Sequence, residues 1–362
     1  MLIGRKDTKV VRSQDKLTQP TIRKNMIRLQ HEHQGMPLDT VRRKAVNDLN
    51  EMIYHGHLKL KQNDTCFCGS AELQKLSRLD RYGLPFGTQI CCKCGLISQT
   101  ISLTEDSLPL FYNKIYWPLN IGDTKNGEFA TDIGSSEFCD FLIPEVRKRF
   151  SHDIKVLEIG CGQGNRLLRL RSSLGSDFNL NLMGCDYSEE AINTAKLNGI
   201  AAERGGVEVF LNKQPADVLI LSHVLEHVVD LNKFLDCIDK ITHSNSIIYI
   251  EVPGVNDLKN KPEYEYDYQD YCVLAHIYNF SLSTLMNILT QKGFVILDGS
   301  EYVRLITSKS GVHNVRALTE PYQETMNSLN EADVQHEKWK KKYNNPIRKY
   351  LASLYKAILG KL

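Results

Sequence analysis

Val156-Leu157-Glu158-Ile159-Gly160-Cys161-Gly162-Gln163-Gly164-Asn165 is the stretch whose reading decides the fold. A short apolar run ending in clustered glycines reads as a buried parallel strand. The glycines let the chain turn sharply and approach a ligand closely. Leu167, Leu168 and Leu170 then open a helical pattern. A second run ends at Gly184-Cys185-Asp186-Tyr187-Ser188, where the carboxylate of Asp186 stands at the position that meets two ribose hydroxyls in nucleoside-binding sheets. Strand, glycine turn, helix, strand and acid together predict an α/β fold with a doubly wound, Rossmann-like sheet.

The glycine spacing argues against a dinucleotide. Dinucleotide sites use G-x-G-x-x-G, with the helix N-terminus facing a pyrophosphate. Here the pattern is G-x-G-x-G, and Asn165 stands where the later glycine would fall. Glu158, just before the first glycine, would repel a pyrophosphate but suits a ligand carrying an ammonium and a sulfonium. S-adenosylmethionine is that ligand. From Phe138 to Ser308 the sequence resembles the class I S-adenosylmethionine-dependent methyltransferases. The resemblance rests on VLEIGCGQGN (156–165), GCDYS (184–188), DVLILSHVLEHV (217–228) and IIYIEVP (247–253). It implies that Glu158, Gly160, Cys161, Gly162 and Gly164 hold the methionine end and that Asp186 holds the ribose. Tyr187 would flank the adenine, the Gly206-Val207-Glu208 turn would border its edge, and Ser222 would line the site. The third strand is expected around Ile200 to Glu203.

Composition describes an ordinary enzyme rather than a fibrous, secreted or membrane-spanning chain. With 362 residues the chain can bury a sizeable core and carry smaller attachments, and its net charge of +2 excludes no partner. Residues 1–44 hold eleven Lys or Arg against four acids, and the far C-terminus is basic too. No apolar run is long enough to span a bilayer, and the N-terminus shows no signal-peptide h-region. Ten cysteines without such a signal point to a reducing cytoplasm and to metal rather than disulfides. Four parts are expected: a basic, partly helical 1–60 with a helix around Thr40 to Tyr54; a cysteine module at 61–115; the α/β domain at 130–310; and a helical extension at 311–362.

The cysteines read Cys66-Phe67-Cys68-Gly69 and Cys91-Cys92-Lys93-Cys94-Gly95. Four thiolates from two tight turns, each turn followed by glycine, suit tetrahedral structural zinc on Cys66, Cys68, Cys91 and Cys94. The first half is C-x-C rather than C-x-x-C, which leaves open whether Cys66, His55 or His57 completes the set. Together with Asp80-Arg-Tyr-Gly-Leu-Pro85 and Cys94-Gly-Leu-Ile97 the segment looks like the zinc-binding module of a subset of methyltransferases acting on sugars and glycans. No catalytic metal is expected, because these candidate ligands sit away from the cofactor strands.

Asp217-Val-Leu-Ile-Leu221 reads as a buried strand, so Ser222, His223, Glu226 and His227 follow its C-terminal end, where open parallel sheets bind ligands. If the turn there is helical, His223 with His227 and Ser222 with Glu226 share a face. Methylation of a hydroxyl needs a base, and imidazole titrates near neutrality. His223 and His227 are candidates, Glu251 at the end of the next strand is a rival, and residues of this segment in the superfamily also line the cofactor or cap the next helix. Tyr264-Glu-Tyr-Asp-Tyr-Gln-Asp-Tyr271 is read either as an acceptor-binding element, its rings covering sugar faces, or as a solvated helix with core tyrosines. His276 is an acceptor residue or a packed one, and Ser281 is an expected helix cap. From Ile347 to Leu362 apolar residues recur at helical spacing among lysines and arginines, which fits an anionic inner-membrane face, a partner, or packing within the fold. The whole predicts a cytoplasmic methyltransferase acting on a surface glycan or its precursor. Another small molecule or RNA is the alternative acceptor, although no aromatic-basic platform for nucleic acid is evident. A non-catalytic cofactor-binding scaffold is the alternative outside enzymes.

Overall fold

The computed structural model describes residues 32–123, 136–310 and 320–343. Helix α1 (Thr40–Tyr54) starts at Asp39, whose carboxylate accepts the Arg42 backbone N–H and so satisfies an open donor of the first turn. Five short strands follow: β1 (Leu60–Gln62), β2 (Leu73–Lys75), β3 (Thr88–Cys91), β4 (Ile97–Gln99) and β5 (Ile101–Leu103). A helical stretch of three consecutive pieces, Leu108–Phe111, Tyr112–Tyr116 and Trp117–Ile121, has a π-helical middle. Such local widening is often found at functional sites.

The second half alternates as its apolar pattern predicts: α2 (Ser136–Arg149), β6 (Asp153–Ile159), α3 (Asn165–Leu174), β7 (Asn179–Asp186), α4 (Glu189–Leu197), β8 (Ala201–Arg204), β9 (Ala216–Ser222), α5 (Leu231–Lys240), β10 (Thr242–Glu251), β11 (Tyr278–Asn279), α6 (Leu282–Gln291), β12 (Val295–Ser300) and β13 (Arg304–Ser308). Seven strands make one sheet in the order β12-β13-β10-β9-β6-β7-β8, with β13 antiparallel to both neighbours. Chain order reverses between β6 and β9, so the ligand cleft of such a sheet opens at their C-terminal ends.

Successive residues of β6 face opposite ways and bury on both sides. Leu157 and Ile159 join Leu219 and Leu221 under α5 and α6, where Leu231, Leu235, Leu285 and Leu289 pack. Val156 joins Val218 and Ile220 on the other face, under Phe138 and Leu142 of α2, Leu167 and Leu170 of α3, and Ile192 of α4. Helices on both faces are what a doubly wound sheet requires. Ser281 caps α6 through a reciprocal pair with Thr284, as expected from sequence.

A smaller sheet runs β11-β4-β3-β2. Its β11 comes from the segment between β10 and α6, so the cysteine region and the large sheet are joined by backbone pairing. Cys66, Cys91 and Leu96 also belong to the core on the α5–α6 side of the large sheet. Helix α7 (Pro321–Tyr343) lays Met326, Leu329 and Ala332 on Leu76, Ile90 and Ile97 of the smaller sheet. The close approach needs Gly95, which has φ +73° and leaves no room for a side chain beside the Pro321 backbone.

Within Tyr264 to Tyr271 the tyrosines are mostly structural. Tyr268 and Tyr271 are buried, with Tyr268 bonded to Thr88 and Tyr271 donating to the Pro253 carbonyl. Asp267 pairs with His336 of α7 at 2.9 Å, and Asp270 with His33 at 3.2 Å. Their rings and carboxylates are thus engaged in packing rather than presented to an acceptor. Among the described residues no helix is long and apolar enough to cross a membrane. The basic stretch 1–31 and the amphipathic stripe from Ile347 to Leu362 lie outside the described residues.

Candidate active site

The glycine turn after β6 takes the conformation its composition allows. Gly160, Gly162 and Gly164 have φ of 70°, 50° and 82°. Gly164 also lies where an added Cβ would strike Ile200 at 2.0 Å, so α3 packs close to the strand after α4 only because this residue is glycine. Gly162 faces open space, and its N–H donates to Asp186 Oδ2 at 3.0 Å. Asp186 Oδ1 accepts the Ser188 N–H at 2.8 Å, which fixes the carboxylate over the glycine turn. Cys161 is buried against Gly184.

Glu158 lies beneath this turn with 1% exposure. Burial pushes its carboxyl up to about 7, against the pull of Arg166, whose guanidinium donates to Oε1 at 3.4 Å. Oε2 is buried without a hydrogen-bond partner. Arg166 also lies 3.7 Å from Glu251. On the other flank Tyr187 remains 38% exposed and stacks on Tyr112, centroids 6.3 Å apart and planes within 7°. Val207 opens a turn whose Gly206 N–H is held by the Glu208 carboxylate at 2.7 Å.

The segment after β9 departs from the helical expectation. His223 sits in the left-handed region at φ 55°, and only Leu225–His227 forms a short 3-10 turn. His223 and His227 therefore do not share a helical face, nor do Ser222 and Glu226. Ser222 instead donates to Glu251 at 3.0 Å, and the His223 backbone N–H donates to the Glu251 carbonyl at 2.8 Å. The His223 ring turns back, and its Nδ1–H donates to Glu226 Oε1 at 3.2 Å while half the side chain stays exposed. Burial works against a proton on His223, but the hydrogen bond and charge of Glu226 prevail and hold it above its ordinary value. Glu226, fully buried, is kept ionised down to about 2: desolvation opposes its charge, and His223 then His227 more than offset it.

His227 faces a different surrounding. Its Nδ1–H donates to the Ala275 carbonyl at 2.9 Å, and Nε2 points toward Glu226 at 3.9 Å. The rings of Tyr112, Tyr116 and His276 stand edge-on around it at 6.2, 6.1 and 4.9 Å. Burial lowers the His227 pKa and brings that of His276 down to about 3.

Glu251 is poorly suited to take a proton. Arg304 donates to it at 2.9 Å, Ser222 donates to its other oxygen, and its pKa is lowered because these partners outweigh desolvation. Arg304 also reaches Glu137 at 2.6 Å, tying β13 to α2. Sequence reasoning passed over Arg166, though its place in the first turn of α3 beside Glu158 was a usable signal. Tyr112, Tyr116 and Arg304 carried none, since their partners are distant in the chain.

In the cysteine region, Cys66, Cys68, Cys91 and Cys94 converge as one group of potential metal ligands. The sulfurs of Cys66 and Cys94 are 3.4 Å apart, and those of Cys68 and Cys91 3.6 Å. Gly69 and Gly95, at φ 80° and 73°, close the two turns by donating to the Cys66 and Cys91 carbonyls. His55 and His57 lie outside the group, so the C-x-C half supplies both of its sulfurs.

Residues 134–298 match the family model described as a methyltransferase domain. The protein carries a methyltransferase domain. Solved structures similar to this methyltransferase include the plantazolicin methyltransferase BpumL in complex with a desmethyl-plantazolicin analogue and S-adenosylhomocysteine. That match has 19% identity over 55% of this chain and 79% of that one, with TM-score 0.38. An S-adenosylmethionine-dependent methyltransferase from Clostridium acetobutylicum is 14% identical over 49% of this chain and 92% of its own, with TM-score 0.37. A putative one from Listeria monocytogenes is 15% identical over 46% and 97%, with TM-score 0.36. A search of curated proteins returned no match.

Proposed function

We propose that the enzyme methylates a hydroxyl of a sugar or glycan acceptor, with His223 as the general base held by Glu226. The observation that carries this reading is the Glu226–His223 pair at the C-terminal end of β9, next to the glycine turn. A carboxylate accepting one ring N–H leaves the other nitrogen, Nε2, with its lone pair, the arrangement that lets imidazole take a proton from a hydroxyl. The second support is the aromatic wall. Tyr112 and Tyr116 stand around His227 on the flank of the cleft, and aromatic rings cover the C–H faces of a sugar while hydroxyl and imidazole groups meet its oxygens. His227, pinned by Ala275, belongs to this acceptor side, and Glu251 serves as the anchor that fixes Ser222 and the His223 backbone.

When bound, S-adenosylmethionine supplies a methyl group made electrophilic by its sulfonium. The residues present fit it. The partnerless Glu158 Oε2 is an acceptor that an ammonium would satisfy. Gly160, Cys161, Gly162 and Gly164 give a wall without protruding side chains, Asp186 would accept two ribose hydroxyls, and Tyr187 with Val207 would flank the adenine. Ser222 lines the floor. The protein's contribution is orientation, exclusion of water and removal of a proton.

We assign structural zinc to Cys66, Cys68, Cys91 and Cys94. Zinc–sulfur bonds of about 2.3 Å put tetrahedral sulfurs about 3.8 Å apart, close to the separations of 3.4 and 3.6 Å found here. All ten cysteines are free, which fits a reducing cytoplasm. Incubation with labelled cofactor and separate pools of lipid-linked glycan, nucleotide-sugar and RNA tests the acceptor class. Label entering a glycan or nucleotide-sugar supports the reading, and label entering RNA alone overturns it.

A further inference from the structure

We propose that Glu226, His227 and His276 form a second metal site, one that takes a divalent first-row transition ion beside the acceptor. One ligand atom from each lies within 4.8 Å of the others, although His276 arrives from a separate segment of the chain.

Three observations point to a ligand here. Glu226 is 1% exposed, and while Oε1 serves His223, its Oε2 is buried without a hydrogen-bond partner. A buried carboxylate oxygen lacking a donor is costly, and a cation removes that cost. Second, the His227 Nδ1–H is tied to the Ala275 carbonyl, which leaves Nε2 with its lone pair on the Glu226 side at 3.9 Å. Anchoring one ring nitrogen on a backbone carbonyl is how ligating histidines are oriented. Third, the His276 ring stands nearly perpendicular to His227, at 80° with centroids 4.9 Å apart, so the two rings converge instead of stacking.

Two imidazoles and one carboxylate, with coordination positions left over, form a donor set for divalent first-row metals such as manganese, cobalt or zinc. Bonds of about 2.1 Å place ligand atoms about 3.0–3.4 Å apart, so the side chains would close by roughly an ångström on binding. This inference deepens the proposed function and rests on it for its purpose. A hydroxyl coordinated to the ion becomes more acidic, and its proton passes to His223 Nε2. The oxygen–methyl bond then forms as the sulfur–methyl bond breaks, and the sulfonium leaves as a neutral thioether.

The test is cobalt titration of the chelator-stripped, full-length enzyme, followed by visible spectroscopy and metal counting. Thiolate-bound cobalt shows strong sulfur-to-metal charge transfer, whereas a nitrogen–oxygen site shows only weak ligand-field bands. Wild-type enzyme is expected to take about two equivalents, one of each kind, and His276→Ala and Glu226→Gln about one, the thiolate kind. Cys91→Ser should keep the nitrogen–oxygen signal. A wild-type enzyme that takes thiolate-bound cobalt alone overturns the proposal whether or not the variants fold. So does a His276→Ala protein that still binds S-adenosylmethionine and takes as much cobalt as wild type. His223→Ala separates this inference from the base assignment: unchanged turnover there would refute the base while leaving the cobalt count to decide the metal.

Discussion

His223 donates its ring Nδ1–H to the Glu226 carboxylate across 3.2 Å from a backbone held at φ 55°. A left-handed conformation at a non-glycine residue costs about 1–3 kcal/mol and persists only where the surroundings impose it. Here the Glu251 carbonyl accepts the His223 N–H, and Arg304 and Ser222 hold Glu251. The strain aims the imidazole back onto Glu226 while half of the side chain stays exposed.

His223→Ala should lower kcat by on the order of 10²–10⁴-fold at saturating cofactor, and Glu226→Gln should do likewise through loss of the oriented ring. Cofactor affinity, read by calorimetry, should change little. If kcat falls by less than tenfold in His223→Ala, the base lies elsewhere.

Asp186→Ala should weaken S-adenosylmethionine binding by about 1.5–3 kcal/mol, roughly ten- to a hundredfold, because buried hydroxyl and amide groups lose their acceptor. Calorimetry that finds unchanged affinity would remove Asp186 from the ribose site.

Stability should fall as pH rises from about 5 to 8. Burial pushes Asp80 and Glu158 up to about 7, so the folded state binds protons that the unfolded state releases. That contribution is complete below the unfolded carboxylate range and is lost as pH climbs through about 7. His33 and His336, both raised, act in the same direction: a hydrogen bond from the His33 ring to Asp270 lifts His33, and Asp267 lifts His336 against burial, whereas His227 and His276, lowered by burial, act in the opposite one. Calorimetric scans of ligand-free enzyme should give a lower Tm at pH 8 than at pH 6. The added Tm from S-adenosylmethionine should be larger at pH 8, since its ammonium suits an ionised Glu158. A cofactor-induced shift independent of pH, in wild type and in Glu158→Gln alike, would contradict the Glu158 assignment.

Cys66→Ser, Cys91→Ser or Cys94→Ser should each lose the thiolate-bound metal and lower Tm, because binding energy at such a site is folding energy. Elemental analysis alongside thermal unfolding checks this. Full zinc in Cys66→Ser would mean another ligand completes the set.

Gly95→Ala should destabilise the enzyme by about 2 kcal/mol or more. Gly95 has a positive φ, and its Cβ would fall 2.6 Å from the Pro321 backbone, so α7 must move. Denaturant unfolding measures the change, and a wild-type midpoint would show that α7 docks less tightly than its packing implies.

The sequence by itself determined the α/β architecture, the cofactor turn and the helix caps, because each is decided within about a dozen neighbouring residues. Val156 to Asn165 specifies strand, glycine turn and helix start locally, and Ser281 with Thr284 closes a cap three positions apart. The cysteine cluster was legible for the same reason, since each half is a single tight turn, although the role of Cys66 awaited the fold. Only the tertiary structure decided the rest. Spacing alone pairs His223 with His227, but the carbonyl of Glu251 on β10 forces His223 into the left-handed region and gives it Glu226 instead. Glu251 reads as a free carboxylate at a strand end until β13 brings Arg304 beside it. Tyr112 meets Tyr187, and His276 meets His227, through contacts between distant segments that no local periodicity records. The roles of these side chains depend on which charges and rings the folded chain places around them, and that is settled by packing between elements rather than by residue type.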